Sequence, residues 1–167
     1  PDFPWDTIAD AKARATAHPD GICDLSVGTP VDAVPMAAQR ALAAAAPDWA
    51  GYPTVWGTPA LRAALRGYLE GRWSSVPLTD ANVLPVVGTK ELVALLPLQL
   101  GAGPGQTVVI PTTAYPTYEV GARIAGADVL ATDDPAEAAA AKPALIWINS
   151  PANPHGAILD ADALRAW

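Results

Sequence analysis

The sequence predicts an α/β fold: a mainly parallel sheet covered by helices, with a helical arm on its N-terminal side. Three observations predict it. From about residue 80 onward, short apolar stretches alternate with helix-forming ones, the pattern of successive β-α-β units. Those stretches are predominantly apolar, as in strands buried on both faces. The residues with unusual chemistry fall in the loops after the stretches, where open parallel sheets bind ligands.

Residues 5–18 read as an Ala-rich amphipathic helix, stopped by Pro19 and Gly21. Residues 22–27 are a short extended stretch that ends in the turn Gly28-Thr29-Pro30. Residues 34–46 are helical by composition and are closed by Pro47. A loop dense in Gly, Pro and aromatics covers 51–57. Thr58 then caps a helix with Pro59 at its first position, which runs to about Arg72. Strands are predicted at 83–87, 107–110, 127–131 and 144–148, with helices at 89–100 and about 117–125. The stretch 136–141 is a weak helix or a surface connection, and Asp160 opens a last helix.

Composition narrows the class of protein. A chain of 167 residues holds one domain with a core and not two comfortable ones. Hydrophobic residues at 51% and charged residues at 16% exclude a disordered polyelectrolyte. The net charge of -7 carries no Lys/Arg cluster, which argues against a nucleic-acid surface. One cysteine, Cys23, excludes an internal disulfide and a Cys-rich metal site and fits a reducing cytoplasm. Its expected place is a small buried residue at the start of a strand, with a nucleophile a distant second. His18 and His155 do not suggest zinc, so no metal is expected. No apolar run reaches membrane-spanning length, since Pro85, Pro97 and Pro111 break the candidates. Asp2 and Asp6 stand where a secretory signal would be basic. The chain opens on Pro1 and stops at Trp167 within a helical pattern, so trimming at both ends is expected.

Four loops qualify on the rule for open parallel sheets, after Val27, Val87, Ile110 and Ile148. In the loop after Val87, Gly88 lets the backbone approach a ligand, while Thr89 and Lys90 open a helix. Free N–H groups and the positive end of the helix dipole make such a turn a phosphate cradle. Taken alone, the turn reads equally as an ordinary helix start. The loop from Pro111 to Tyr118 is bounded by prolines and can hold an aromatic ring over a flat ligand; packing beneath the loop is the better reading of Tyr118. The loop after Ile148 holds Asn149 and Asn153, and its Asn153-Pro154 step biases the Asn away from helix. An amide there donates a hydrogen bond without titrating; the plainer alternative is a pair of turn-forming Asn residues. Lastly, Tyr52 sits on a loop from which its hydroxyl could reach a neighbouring subunit.

Taken in order, these segments resemble the class I/II aminotransferases of the fold type I pyridoxal-phosphate superfamily. Leu25-Ser26-Val27-Gly28-Thr29-Pro30 looks like the family's substrate-carboxylate loop, and Tyr52-Pro53-Thr54 with Gly57, Leu61 and Arg62 is similar to its Tyr-Pro segment. Gly88-Thr89-Lys90-Glu91 resembles the phosphate turn. Pro111 to Tyr118 fits the Pro-x-Tyr-Pro-x-Tyr pattern with one extra residue, and Asn149 to Gly156 fits Asn-x-Pro-x-Asn-Pro-x-Gly, with His155 in place of the usual Thr. The wording between motifs, including Phe3-Pro4-Trp5-Asp6-Thr7, is most similar to the actinobacterial type of N-succinyldiaminopimelate aminotransferase of lysine biosynthesis.

The resemblance implies pyridoxal 5'-phosphate as cofactor. Gly88, Thr89 and Lys90 would bind its phosphate through their backbone N–H groups. Tyr115 would stack on its ring, and Asn153 would hydrogen-bond its phenolic oxygen. Tyr52 would reach the partner's cofactor across a homodimer interface, and Gly28 would touch the substrate carboxylate. Residues 1–50 would form an arm and part of the small domain, and 51–167 a partial cofactor-binding large domain. None of Lys12, Lys90 and Lys142 has the context of the Schiff-base lysine, which is expected beyond residue 167. The chain alone is therefore not expected to link the cofactor covalently. Amino-acid and 2-oxo-acid substrates follow, with 2-oxoglutarate as acceptor. Another class I/II aminotransferase or a carbon–sulfur lyase would use the same motifs. A non-catalytic α/β binding module is the alternative of another kind; no Gly-x-Gly-x-x-Gly or Walker-type Gly-Lys-Ser/Thr follows a strand to favour it.

Overall fold

The computed structural model describes residues 6–73 and 76–167. Trp5, which opens the first predicted helix, and Phe3 and Pro4, which share one of the quoted motifs with it, lie outside the described residues. The chain divides into two compact units, Pro1–Val83 and Leu84–Trp167.

The first unit is helical. A 3-10 turn at Asp6–Ile8 leads into α1 (Ala9–Thr16), followed by α2 (Met36–Ala45) and α3 (Pro59–Trp73). The Thr58 hydroxyl accepts the Leu61 N–H at 3.2 Å, so Thr58 caps α3 with Pro59 at its first position as expected. None of the three helices buries a residue. Polar contacts shape the unit instead. Lys12 of α1 pairs with Asp24 at 2.7 Å, and the Ser26 hydroxyl and N–H both donate to the same carboxylate. Arg62 and Arg66 of α3 both face Asp80, at 3.6 and 3.3 Å.

Residues 22–27, expected to be extended, pair with no strand, and Cys23 is exposed rather than buried. Without a ladder, nothing turns that segment's apolar side chains into a core.

The second unit holds α4 (Thr89–Gln99), β1 (Thr107–Ile110), α5 (Thr117–Ala125), β2 (Asp128–Ala131), α6 (Pro135–Ala140), β3 (Leu145–Ile146) and α7 (Ala161–Ala166). The sheet is parallel throughout, in the order β2-β1-β3, with Val108 opposite both Val129 and Leu145. Beyond β3, Ala144 and Trp147 also donate to β1 carbonyls, at 2.8 and 2.9 Å, so the pairing spans most of the predicted strand. Val108 and Val109 point to opposite faces and both are fully buried, hence both faces of β1 are covered. Asp160 caps α7 by accepting the N–H groups of Asp162 and Ala163.

One predicted strand is absent. Residues 83–87 form no ladder, and Leu84, Val86 and Val87 are exposed. Their apolar run matches a buried strand, but Pro85 has no N–H to give a ladder and no neighbouring strand among the described residues takes up the rest.

Helices α4 and α5 pack along each other at Gly121. A Cβ on Gly121 would stand 2.9 Å from the carbonyl oxygens of both Val93 and Ala94 and 3.2 Å from the Ala94 Cα. Residue 97 of α4 is proline, so the Val93 carbonyl has no intrahelical donor four residues on. Its oxygen instead faces the bare Cα of Gly121. At the other end of α5, Gly126 (φ 78°) ends the helix, with Ala127 donating to the Ala122 carbonyl at 3.0 Å.

Two outcomes follow. Gly121→Ala forces α4 and α5 apart and destabilises the protein by about 1–3 kcal/mol, read as a lower midpoint in denaturant unfolding. The donors around Asp24, Lys12 first and then Ser26, hold its carboxyl well below the ordinary value of 3.8. The folded state therefore prefers the charged form. Its stabilisation is complete above about pH 5 and is lost as the pH falls through the ordinary carboxylate range and below. Asp24→Asn removes that part of the acid dependence, measurable as a flatter pH profile of thermal unfolding.

Candidate functional site

Parallel pairing places the carboxyl ends of all three strands on one edge of the sheet, and the chemically distinctive loops of the second unit leave from there. Pro111–Pro116 follows β1, Thr132–Asp134 follows β2, and Asn149–Gly156 follows β3. A cavity of about 500 Å³ opens at this edge, lined among others by Pro111, Thr112, Asp133, Trp147, Asn149 and His155. Thr112 closes the loop after β1 against the loop after β2: its N–H reaches Asp133 Oδ1 at 3.2 Å and its hydroxyl also donates to that carboxylate.

Tyr115 is half-buried at the end of the first loop. Its ring meets Tyr118 edge-on, with centroids 5.9 Å apart and planes at 88°. Tyr118, buried as expected, stacks on Trp147 at 4.7 Å and 18°. Burial, helped by Tyr115, pushes the Tyr118 phenol above its usual range, so it stays neutral. This aromatic column joins the loop after β1 to the residue that follows β3. Trp147 itself has its indole N–H buried with no acceptor among the described residues.

The Asn-Pro loop is closed by its own polar groups. Asn149 Oδ1 accepts the Asn153 N–H at 2.8 Å, and Asn149 Nδ2 donates to the Pro151 carbonyl at 3.0 Å. Ala152 and Ala157 pair at 2.8 Å, Gly156 (φ 72°) donates to Ala152 at 2.7 Å, and the Ser150 hydroxyl accepts from Leu159. The Ser150-Pro151 and Asn153-Pro154 bonds are both cis. Asn153 is exposed, and its side-chain amide takes no part in these bonds.

The Gly88 turn stands at the start of α4. Gly88 is the N-cap in an extended conformation, has no side chain to close the helix end, and would meet nothing within 4 Å if given a Cβ. The first intrahelical bond there is Leu92 N–H to the Gly88 carbonyl at 3.1 Å. Thr89, Lys90 and Glu91 form the first turn, ahead of that bond, where a backbone N–H has no intrahelical acceptor. Gly121 is four residues into α5, and Ala94 is five into α4. Each helix start thus lies within about two turns of the shared contact.

Of the residues singled out by sequence, Tyr115 and Asn153 lie on loops from the same sheet edge, and Gly88, Thr89 and Lys90 lie on the helix packed against α5. Tyr52 and Gly28 belong to the first unit, both exposed on loops. Lys12 is engaged by Asp24, and Lys142 is exposed after α6 with φ 48°. Asn149, Tyr118 and Trp147 were not among the expected site residues. Asn149 had a signal, an Asn four residues before another Asn within a Pro-punctuated loop; Trp147 had none.

Comparison with known proteins agrees with this arrangement. The family described as aminotransferase class I and II matches residues 20–166. A probable aminotransferase of Mycobacterium tuberculosis is 55% identical over 99% of this chain and 39% of its own length. The 4-dedimethylamino-4-oxo-anhydrotetracycline transaminase of Streptomyces rimosus is 49% identical over 100% of this chain and 47% of its own. The solved N-succinyldiaminopimelate aminotransferase of Mycobacterium tuberculosis superposes with a TM-score of 0.74 at 27% identity, over 85% of this chain and 40% of that one. The chain thus spans less than half the length of these relatives. With the parallel sheet, the helix-borne Gly88 turn and the Asn-Pro loop at one sheet edge, the match makes the chain a member of the class I and II aminotransferases, a family of pyridoxal-phosphate-dependent enzymes.

Proposed function

We propose that this chain supplies one wall of the cofactor site of an aminotransferase that acts on an amino acid and a 2-oxo acid. The observation that carries the reading is the open start of α4 at Gly88, a helix end without a side-chain cap and with room for an anion. Its backbone N–H groups at Gly88, Thr89 and Lys90 would hold the phosphate of pyridoxal 5'-phosphate. Tyr115, braced by Tyr118, would lie over the ring, and the unused amide of Asn153 would donate to the phenolic oxygen. The residues present fit the group: a phosphate needs N–H donors at an open helix start, here with Glu91 as the one acidic residue of the first turn, and a phenolic oxygen needs a neutral donor. When bound, the cofactor supplies the electron sink for charge developing at the α-carbon of the amino acid. The residues of this chain bind and orient it; the covalent lysine is assigned to none of them.

Gly28 would meet the substrate carboxylate, and Tyr52 would reach the cofactor of a second copy in a cytoplasmic homodimer. Residues 1–50 would act as an arm and small-domain part, with the large domain beginning near 51. For the substrate, the motif wording favours N-succinyl-LL-2,6-diaminopimelate with 2-oxoglutarate, in lysine biosynthesis. A second reading, amination of a polycyclic ketone, is favoured by the 49% identity to the tetracycline-pathway transaminase. Glutamate turnover in the whole enzyme, offered each substrate in turn, separates the two.

Gly88→Val tests the cradle. It fills open space at a backbone conformation any residue adopts, so the unfolding midpoint stays near wild type. Affinity for pyridoxal phosphate falls by about tenfold or more, as loss of a charge-assisted hydrogen bond implies. Affinity for pyridoxal, which lacks the phosphate, stays unchanged. Equilibrium dialysis measures both; equal phosphate-ester affinity in wild type and variant would remove the cradle from the proposal.

A further inference from the structure

We infer that Asn149 is a positioning residue for the cofactor's phenolic oxygen and acts through Asn153. The inference rests on the reading of Asn153 proposed above. Asn149 is half-buried two residues after Trp147, the last residue that bonds to β1, so it leaves the sheet close to a fixed backbone. Its side chain spans the loop in both directions, accepting from the Asn153 N–H and donating to the Pro151 carbonyl. An amide is the one common side chain of this length that accepts and donates at once. A carboxylate would keep the first bond and face the Pro151 carbonyl with like charge. An aliphatic side chain would lose both.

The consequence for Asn153 is specific. Its backbone N–H is held 2.8 Å from Asn149, which fixes the direction of its Cα–Cβ bond while leaving its amide out of the loop's bonding. The amide is therefore aimed from the loop instead of being spent on closing it. The other closures, Ala152 with Ala157 and Ser150 with Leu159, hold the base of the loop and do not touch residue 153. Asn149 thus ties the loop at Pro151 and at Asn153, and of these only Asn153 carries a side chain that can reach the cofactor's oxygen.

The test is a double-mutant cycle on the holoenzyme with Asn149→Leu and Asn153→Ala. The readout is the pH titration of the bound cofactor's visible absorption, with cofactor affinity beside it. A hydrogen bond from Asn153 stabilises the ionised phenolic oxygen, so losing it raises the titration midpoint. Asn149→Leu raises it in the same direction and weakens cofactor binding by about fivefold to tenfold, one neutral hydrogen bond's worth. In the Asn153→Ala background it adds nothing to either. Additive effects, or a titration at wild-type pH in Asn149→Leu, overturn the inference. If Asn153→Ala alone titrates like wild type while the cofactor stays bound, the assignment of Asn153 has failed, and the inference falls with it. Should Asn149→Leu not fold, amide hydrogen exchange on Asn149→Asp replaces it. Protection of the Asn153 N–H retained there supports the hook, and protection lost there overturns it.

Discussion

Where α4 crosses α5, the missing side chain of Gly121 lets two helix backbones come within contact distance, and much of the second unit depends on that approach. Val93 and Ala94 present carbonyl oxygens where a Cβ would stand. The Val93 oxygen is available because Pro97 withholds the donor it would meet in a regular helix. A proline and a glycine on different helices thus solve one problem together. The freed carbonyl is shielded by a Cα without a side chain, a contact worth a fraction of a normal hydrogen bond. Because α5 is tied at both ends to strands of the sheet, the same contact sets where α4 and its open N-terminus sit in the unit.

The sheet contributes direction. In a parallel arrangement every strand delivers its next loop to the same edge, so residues distant in sequence converge without any dedicated contact. Here that edge receives Tyr115 from β1 and Asn149 to Gly156 from β3, while Thr112 and Asp133 latch the loops after β1 and β2. The Tyr115, Tyr118 and Trp147 rings add a second tie between these loops, made by stacking and not by charge. Rigidity at this edge therefore comes from neutral contacts on one side and from the Asp133 and Glu137 carboxylates, which hold Thr112 and Thr132, on the other.

Sequence reading succeeded where local chemistry decides the outcome. Thr58-Pro59, Asp160 and the apolar runs 107–110 and 127–131 became a capped helix, a second cap and two paired strands, because caps and ladders respond to residues a few positions apart. The family was legible too, since its motifs mark loops whose order a parallel sheet preserves. Failures came where the outcome depends on partners the local sequence does not contain. Residues 83–87 have the composition of a buried strand, yet a strand exists only if a neighbour completes its hydrogen bonds. Cys23 was expected inside for the same reason: it was read as the start of a ladder that does not form. Within the candidate site, Gly88 and Asn153 stood out because glycine and Asn-Pro are conspicuous, whereas the residues that hold them, Gly121 and Asn149, look like ordinary helix and turn residues until their contacts are known.

The distribution of titrating groups completes the physical picture. The bonds that close the Asn-Pro loop come from the Asn149 amide, the Ser150 hydroxyl and the backbone, none of which carries a charge. The burial that keeps the Tyr118 phenol neutral leaves the aromatic column uncharged as well. Charge enters where the core is thin: in the first unit, whose helices bury no residue, the Lys12–Asp24–Ser26 cluster and the Arg62–Asp80–Arg66 cluster do the holding. Protonation of Asp24 would release a contact of the first unit, as protonation of Asp133 would release the latch between the loops after β1 and β2. An anion held as proposed above would meet donors that do not titrate, since backbone N–H groups and an amide keep their protons across the ordinary pH range.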